Sequence, residues 1–177
     1  MVVKHDLDVK QMDAVTTFLQ GNLNDEVIFM DQLEGFVGNR RKVCRLRKAL
    51  YGLKQSSRVW NNQLDEALKE FGLTRSKVDP CLYYRLDGDM LLFVTIYVDD
   101  FRIFTNVDEL KRRLKTFLHK RFRMKDLGEA AFCLGLRITR DRRNGKLWID
   151  QEAYINNVLQ RFNMANCTRK KNLHTLS

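Results

Sequence analysis

Residues 91–105 read LLFVTIYVDDFRIFT, and this stretch decides which fold the sequence predicts. The runs Leu91 to Tyr97 and Phe101 to Thr105 have the β-branched and aromatic composition of strands. Asp99 and Asp100 stand side by side between them. One interpretation is a turn that joins two antiparallel strands. The other is a metal site, because carboxylates held on rigid strands suit an oxygen-seeking cation such as Mg²⁺.

Both interpretations are open on the residues alone. A tight hairpin usually takes Asn-Gly or Asp-Gly, and this stretch has no glycine. Two adjacent carboxylates repel each other, which raises the pKa of at least one unless a cation neutralises them. Two metal ions roughly 3.5–4 Å apart can activate an attacking hydroxyl and stabilise a leaving phosphate. Such a site needs a further carboxylate, and the first segment offers Asp6, Asp8 and Asp13.

The charge of the chain is unevenly distributed. The 177 residues include 32 Lys and Arg against 22 Asp and Glu, for a net charge of +10. Residues 37–58 and 111–125 each contain eight basic residues and no acidic one, and residues 137–146 contain five basic residues and one acidic residue. Such blocks are either solvated faces or an electrostatic track for a polyanion such as nucleic acid.

Composition excludes several other classes. A hydrophobic fraction of 44% suits a folded globular domain, and no apolar run reaches the roughly 18 residues of a membrane helix. The first residues contain no signal-peptide region, so we expect an intracellular protein, cytoplasmic or nuclear, rather than a secreted one. The four cysteines and three histidines are scattered, which argues against a zinc site.

The hydrophobic pattern predicts an α+β fold with an antiparallel sheet and helices packed on one face. Strands are expected at residues 6–12, 27–30, 42–46, 81–85, 91–97 and 101–105, with a hairpin of residues 132–139 and 146–150. Helices are expected at residues 14–20, 57–71 and 107–122, and after Asp150. Ser56 or Ser57 is expected to cap the helix at 57–71.

Five segments carry a more specific pattern, in this order: MDAVTTFLQG (12–21), EVIFMDQLEGF (26–36), VCRLRKALYGLKQSSRVW (43–60), YVDD (97–100) and FRMKDLGEAAFCLGLRITRD (122–141). Together they resemble the reverse transcriptase domain of copia-type (LTR retrotransposon) polyproteins. YVDD alone would be a weak signal. Five ordered segments, continued by DQEAYINNVLQRFNM, extend the resemblance over about residues 10 to 166.

The resemblance implies a polymerase palm with a central antiparallel sheet and a partial thumb helix. It implies RNA-directed DNA synthesis, in which deoxynucleoside triphosphates are added to a primer on an RNA or DNA template. Asp13, Asp99 and Asp100 match the family's catalytic carboxylates, which hold Mg²⁺, or Mn²⁺ as an alternative. A second interpretation is a catalytically inactive nucleic-acid-binding remnant or co-opted module.

Other roles follow from the same resemblance. Phe18 matches the aromatic residue that excludes a ribose 2′-hydroxyl, and Gly52, Lys54 and Tyr97 match positions near the incoming nucleotide and the primer end. Phe18 can equally be a core aromatic, Gly52 an ordinary loop residue and Tyr97 a strand aromatic. Residues expected to contact nucleic acid are Arg40, Arg41, Lys42, Arg45, Arg47, Lys48, Arg58 and Gly135.

The resemblance also implies a domain plan. Residues 1–141 would form the palm-like region, residues 142–166 the start of a thumb, and residues 167–177 a frayed tail. The family's fingers segment would precede this chain and a ribonuclease H region would follow it, so we expect the chain alone to synthesise little DNA.

The chain departs from the family pattern at three positions. Leu33 and Ser57 stand where proline is usual. Arg102 stands two residues after Asp100, where an apolar residue is usual, and its charge could offset the carboxylate or weaken metal binding.

Overall fold

The computed structural model describes residues 1–23, 26–38 and 41–167. The strands in this part of the chain are β1 (Asp8–Ala14), β2 (Phe29–Met30), β3 (Cys44–Arg45), β4 (Thr74–Arg75), β5 (Leu82–Asp87), β6 (Met90–Tyr97), β7 (Asp100–Thr105), β8 (Met124–Glu129), β9 (Phe132–Cys133), β10 (Leu136–Asp141) and β11 (Lys146–Asp150). The helices are a 3-10 helix (Thr17–Gln20), α1 (Ser56–Glu70), α2 (Asp108–Arg121) and α3 (Glu152–Arg161).

A six-stranded sheet in the order β4-β5-β6-β7-β1-β8 organises the first part of the chain. The pairs of neighbouring strands are antiparallel. The strand β1 lies between β7 and β8, so a segment from the start of the chain is inserted beside the β6–β7 hairpin. This insertion brings Asp13 of β1 to the end of the sheet where β6 turns into β7.

The helices α1 and α2 cover one face of this sheet. Their inward residues, Trp60, Leu64 and Leu68 on α1 and Leu110, Leu114 and Leu118 on α2, form one core with the sheet residues Met12, Val94, Phe101 and Ile103. Both helices place apolar residues three or four positions apart, which gives each one a single apolar face. The predicted α+β palm-like fold with helices packed on one face is therefore confirmed.

Two strands were not expected from the sequence. The strand β4 has two residues, and β8, with the sequence MKDLGE, contains Lys, Asp, Gly and Glu, which strands disfavour. The position of β8 explains this composition, because among the described strands it lies at the edge of the sheet and pairs with β1. A register shift between Gln11 and Met12 interrupts that pairing.

Local differences from the expected elements have simple causes. The first strand runs through Ala14, so the expected helix at 14–20 shortens to the 3-10 helix Thr17–Gln20. The predicted serine cap of α1 is wrong, because Gln55 holds the N-cap position without a side-chain cap bond. The Ser56 hydroxyl instead donates to the Leu50 carbonyl at 2.5 Å.

A second unit begins at Ala131. In it β9, β10 and β11 form a three-stranded sheet, followed by α3. The expected strand 132–139 is split by a turn at Leu134 and Gly135, both with positive φ. Asp150 accepts a hydrogen bond from Glu152 N at 3.1 Å at the start of α3, whereas Gln151 holds the N-cap position.

The two compact units divide between Ala130 and Ala131. The palm and thumb assignments remain predictions, and residues 168–177 of the expected tail lie outside the described residues. Among the described helices, none combines the length and the apolar character needed to cross a membrane.

Candidate functional site

Asp13 and Asp100 lie directly opposite each other on the neighbouring strands β1 and β7. Ala14 N donates to Asp99 O at 2.8 Å, so the adjacent Asp13–Asp100 pair is of the non-hydrogen-bonded type, in which the side chains approach most closely. Asp99 is the last residue of the turn before β7. The structure thus brings Asp13, Asp99 and Asp100 together at one end of the sheet.

The β6–β7 connection is a two-residue turn formed by Val98 and Asp99. Val98 has φ 58°, whereas Asp99 is not among the residues with positive φ. A β-branched residue with positive φ is unusual, since glycine normally takes this turn position. A turn was one of the two interpretations of YVDD, and it coexists with a cluster of carboxylates.

The indole of Trp60 forms a hydrogen bond with the backbone of this turn. Trp60 Nε1 donates to Val98 O at 3.1 Å, and the ring itself is only 3% exposed. The ring also meets Phe122 in an edge-to-face contact with centroids 5.0 Å apart. Helix α1 and the core therefore restrain the backbone next to Asp99.

Negative charge accumulates at Asp13. Burial raises the pKa of Asp13, the neighbouring charges of Asp99 and Asp100 raise it further, and Lys125 partly lowers it. Such a cluster is destabilised by self-repulsion, so a cation placed between the carboxylates would be attracted.

Asp100 is already engaged by protein donors. Gln11 Nε2 donates to Asp100 Oδ1 at 2.9 Å, and Arg102 Nη2 lies 3.4 Å from Asp100 Oδ2. Arg102 is 4% exposed although it is charged. Both carboxylate oxygens of Asp100 therefore have a partner within the sheet.

These contacts limit how a divalent cation fits. The carboxylates of Asp13 and Asp99 accept no hydrogen bond from any described residue. Carboxylate oxygens are ligands that Mg²⁺ prefers. Across the described ranges, no group of three or more His, Cys, Asp or Glu side chains is arranged to hold a metal ion. The three-carboxylate metal site therefore remains a prediction.

Phe18 lies close to the carboxylate turn. Its ring contacts Tyr51 edge to face, with centroids 5.1 Å apart. Phe18 and Val98 also line the same cavity of about 170 Å³, together with Trp60 and Ile96. The ring is half-buried and packs against the core.

Gly52, Lys54 and Tyr97 lie on the surface of the same unit. Gly52 has φ 93°, which favours glycine, and a Cβ there would meet nothing within 4 Å. Tyr97 is 58% exposed at the last position of β6, directly before the Val98–Asp99 turn. The nucleotide-binding roles of these residues and of Phe18 remain predictions.

The basic segment before α1 is exposed. Lys42, Arg45, Arg47 and Lys48 form no ion pair with any described residue, and Arg58 pairs with Glu26. The segment runs beside the chain that leaves β1, because Leu23 N donates to Arg47 O and Ala49 N to Gly21 O. Arg41 is exposed, Arg40 lies outside the described residues, and Gly135 lies in the second unit.

Two residues of this site were missed by sequence reasoning. Gln11 lies outside the five ordered segments and Trp60 is the last residue of one of them, but only the pairing of β1 with β7 and the packing of α1 give them a role at this site. One signal was available for Gln11, because it stands two positions before Asp13 and thus on the same face of a strand.

Comparisons with known proteins agree with this geometry. The family model described as Reverse transcriptase (RNA-dependent DNA polymerase) matches residues 1–174. The chain is 44% identical over 164 residues to the Retrovirus-related Pol polyprotein from transposon TNT 1-94 of Nicotiana tabacum, covering 91% of this chain and 12% of that polyprotein.

Two further relatives are similar over most of the chain. The Retrovirus-related Pol polyprotein from transposon RE1 of Arabidopsis thaliana is 37% identical over 158 residues, covering 88% of this chain and 11% of the polyprotein. The Putative transposon Ty5-1 protein of Saccharomyces cerevisiae is 35% identical over 146 residues, covering 81% of this chain and 47% of that protein.

This chain thus spans a small part of the plant polyproteins that it matches. The family match covers nearly all of it, and the ordered segments, the antiparallel sheet and the carboxylates at its end are consistent with that match. The chain belongs to the reverse transcriptase (RNA-dependent DNA polymerase) family, in the copia-type form found in transposon Pol polyproteins.

Proposed function

We propose that this chain is the palm-like part of an RNA-directed DNA polymerase and acts within a longer Pol polyprotein. Its substrates would be a primer on an RNA or DNA template and deoxynucleoside triphosphates. The observation that carries the proposal is the pairing of Asp13 with Asp100 beside Asp99, in a cluster whose charges raise the pKa of Asp13.

Mg²⁺, with Mn²⁺ as an alternative, would be held by Asp13 and Asp99, with Asp100 beside them. When bound, it would supply the Lewis acidity that activates the primer hydroxyl and stabilises the leaving phosphate. The rigid pairing of β1 with β7 keeps the carboxylates in place before a substrate arrives, which lowers the cost of positioning.

The remaining residues would bind and orient substrates. Phe18, near the turn and half-buried, would contact the sugar of the incoming nucleotide, and Gly52 would let the backbone approach it closely. Lys54 would meet its phosphates. Tyr97 would pack against the primer end.

Nucleic acid would follow the basic segment. Lys42, Arg45, Arg47 and Lys48 make no internal ion pairs in the described part of the chain, so their charges are available to phosphates. Arg40, Arg41, Arg58 and, in the second unit, Gly135 would add contacts to the primer and template strands.

Primer extension tests the proposal. The chain is assayed alone and fused behind the preceding region of the TNT 1-94 polyprotein, with a primed RNA template, deoxynucleotides and Mg²⁺. We expect extension by the fusion and its loss in the Asp99→Asn variant, which keeps the shape of the side chain and removes its charge. Extension that survives Asp99→Asn would contradict the proposal.

The second candidate, a nucleic-acid-binding module without catalysis, is favoured by one observation, the engagement of Asp100 by Gln11 and Arg102. It predicts that no fusion extends the primer, while the chain binds primer–template equally well with and without Asp99→Asn.

A further inference from the structure

Arg102 is a buried cation on β7. Its side chain is 5% exposed, and a guanidinium remains protonated in proteins. A charge taken out of water in this way is costly unless an opposite charge compensates it. Among the described residues, the only ion pair of Arg102 is the one with Asp100, at 3.4 Å.

The guanidinium is also incompletely satisfied. Within the described ranges, Arg102 Nε is the one buried side-chain nitrogen or oxygen that has no hydrogen-bond partner. Arg102 therefore depends on the charge of Asp100 more than an arginine with a full set of acceptors would.

The neighbouring strand completes the arrangement. Gln11 and Arg102 lie directly opposite each other in the β1–β7 register. They are the next cross-strand pair after Asp13 and Asp100 on the same face of the sheet. Gln11 binds one oxygen of Asp100, and Arg102 approaches the other. Asp100 is thus held from the same face on which Asp13 lies.

We propose that Arg102 is a built-in counter-ion that takes the place of a second divalent metal ion at Asp100. The site would then bind one ion, on Asp13 and Asp99, while Asp100 stays paired with Arg102. This inference rests on the proposed function, because it concerns the same carboxylates.

The physical reason is competition for one carboxylate. A metal ion that bound Asp100 Oδ2 would lie within a few ångströms of the guanidinium, where two positive charges repel strongly and water screens them little. Arg102 cannot lose its proton to relieve this repulsion. It is a positioning residue, since it acts through Asp100.

Mn²⁺ binding to the full 177-residue chain, followed by electron paramagnetic resonance, tests the inference. We expect one bound ion in the wild type and a second ion in Arg102→Met, whose side chain keeps a similar length without the charge. Arg102→Lys should retain one ion. Arg113→Met, which removes a charge from the exposed face of α2, should also retain one.

A thermal melt without divalent ions provides an independent readout. Asp100→Asn should lower the melting temperature by about 10 °C, because it leaves Arg102 buried without a counter-charge. Asp99→Asn, which leaves the Arg102–Asp100 pair in place, should not lower it. The double variant Arg102→Met/Asp100→Asn should recover most of the loss.

The outcomes separate the two hypotheses. Two ions in the wild type, or one ion in Arg102→Met, would overturn the counter-ion role and leave the proposed function standing. No ion in any variant would overturn both. A destabilisation by Asp100→Asn that the double variant does not recover would also overturn the counter-ion role.

Discussion

Trp60 on α1 donates its indole N–H to the carbonyl of Val98, the residue that precedes the two adjacent aspartates. A core side chain is thereby bonded directly to the most strained residue of the carboxylate turn. The contact links the stability of the core to the geometry of the candidate site, and it can be tested without substrates.

Trp60→Phe should lower the free energy of unfolding by about 1–3 kcal/mol. It keeps an aromatic ring in the core but leaves Val98 O without this donor and a small void beside Phe122. Chemical denaturation measures the change. Trp148→Phe is the matched control, because Trp148 is exposed in the second unit and should have little effect. Equal losses in both variants would contradict the prediction.

Val98→Gly should increase the free energy of unfolding by about 0.5–1 kcal/mol. The backbone at Val98 has φ 58°, and glycine relieves the strain of a β-branched side chain there. Part of the gain is offset by the greater freedom of glycine in the unfolded chain. Val78→Gly, at an exposed position without positive φ, should be neutral or slightly destabilising. A loss of stability in Val98→Gly would show that the turn is not strained.

Asp13→Asn should raise the melting temperature at pH 7. Burial and the charges of Asp99 and Asp100 raise the pKa of Asp13, so the ionised carboxylate is less favourable in the folded state than in the unfolded one. The folded state binds more protons, so this contribution lowers stability as pH rises through the ordinary pKa of 3.8 toward the raised folded value. The gain should therefore vanish below that range. A gain that is the same at every pH would contradict the charge argument.

Asp65→Asn should destabilise the fold at neutral pH but not at low pH. Burial alone would raise the pKa of Asp65, but hydrogen bonds from Lys69 and Tyr83 lower it overall. The carboxylate accepts from the Tyr83 hydroxyl at 2.7 Å. A lowered folded pKa contributes stability above the unfolded value of 3.8, and this is lost as pH falls through the folded value.

Melting curves of wild type and Asp65→Asn between pH 3 and pH 7 test this prediction, because the two melting temperatures should become equal at low pH. The amide oxygen that this substitution introduces can still accept the tyrosine hydrogen bond, so the comparison isolates the charge. Asp89→Asn, on the exposed β5–β6 turn, should follow the wild type throughout. Curves of Asp65→Asn that stay separated at low pH would point to packing instead.

Binding of primer–template should depend on the exposed basic segment before α1. Replacing Arg45, Arg47 and Lys48 by Gln should reduce the slope of log affinity against log salt by about 3, because each phosphate contact releases about one counterion. The matched control replaces Arg112, Lys115 and Arg121, which pair with Glu109, Asp126 and Glu70. Fluorescence anisotropy across salt measures both. Equal slopes in the two variants would contradict a dedicated basic segment.

Much of this protein was readable from its sequence. The apolar periodicity of α1 and α2, the β-rich runs on either side of YVDD and the ordered family segments follow from local composition and spacing, which need no knowledge of distant contacts. The family resemblance, rather than spacing, named Asp13, Asp99 and Asp100 as one site, because spacing alone left Asp6, Asp8 and Asp13 as alternatives. The predicted serine cap of α1 is wrong because the helix already begins at Ser56, so that Gln55 holds the N-cap position.

Other features depended on which strands became neighbours. The polar segment Met124–Glu129 is a strand only because β1 offers it a partner. Gln11 donates a hydrogen bond to Asp100, which is 89 positions later in the chain. Trp60 donates one to Val98, which is 38 positions later. The charge of Arg102 was visible in the sequence, but its burial against Asp100 was not. Burial and pairing are properties of the assembled sheet, so tertiary structure alone decided that one catalytic-type carboxylate already has a cation beside it.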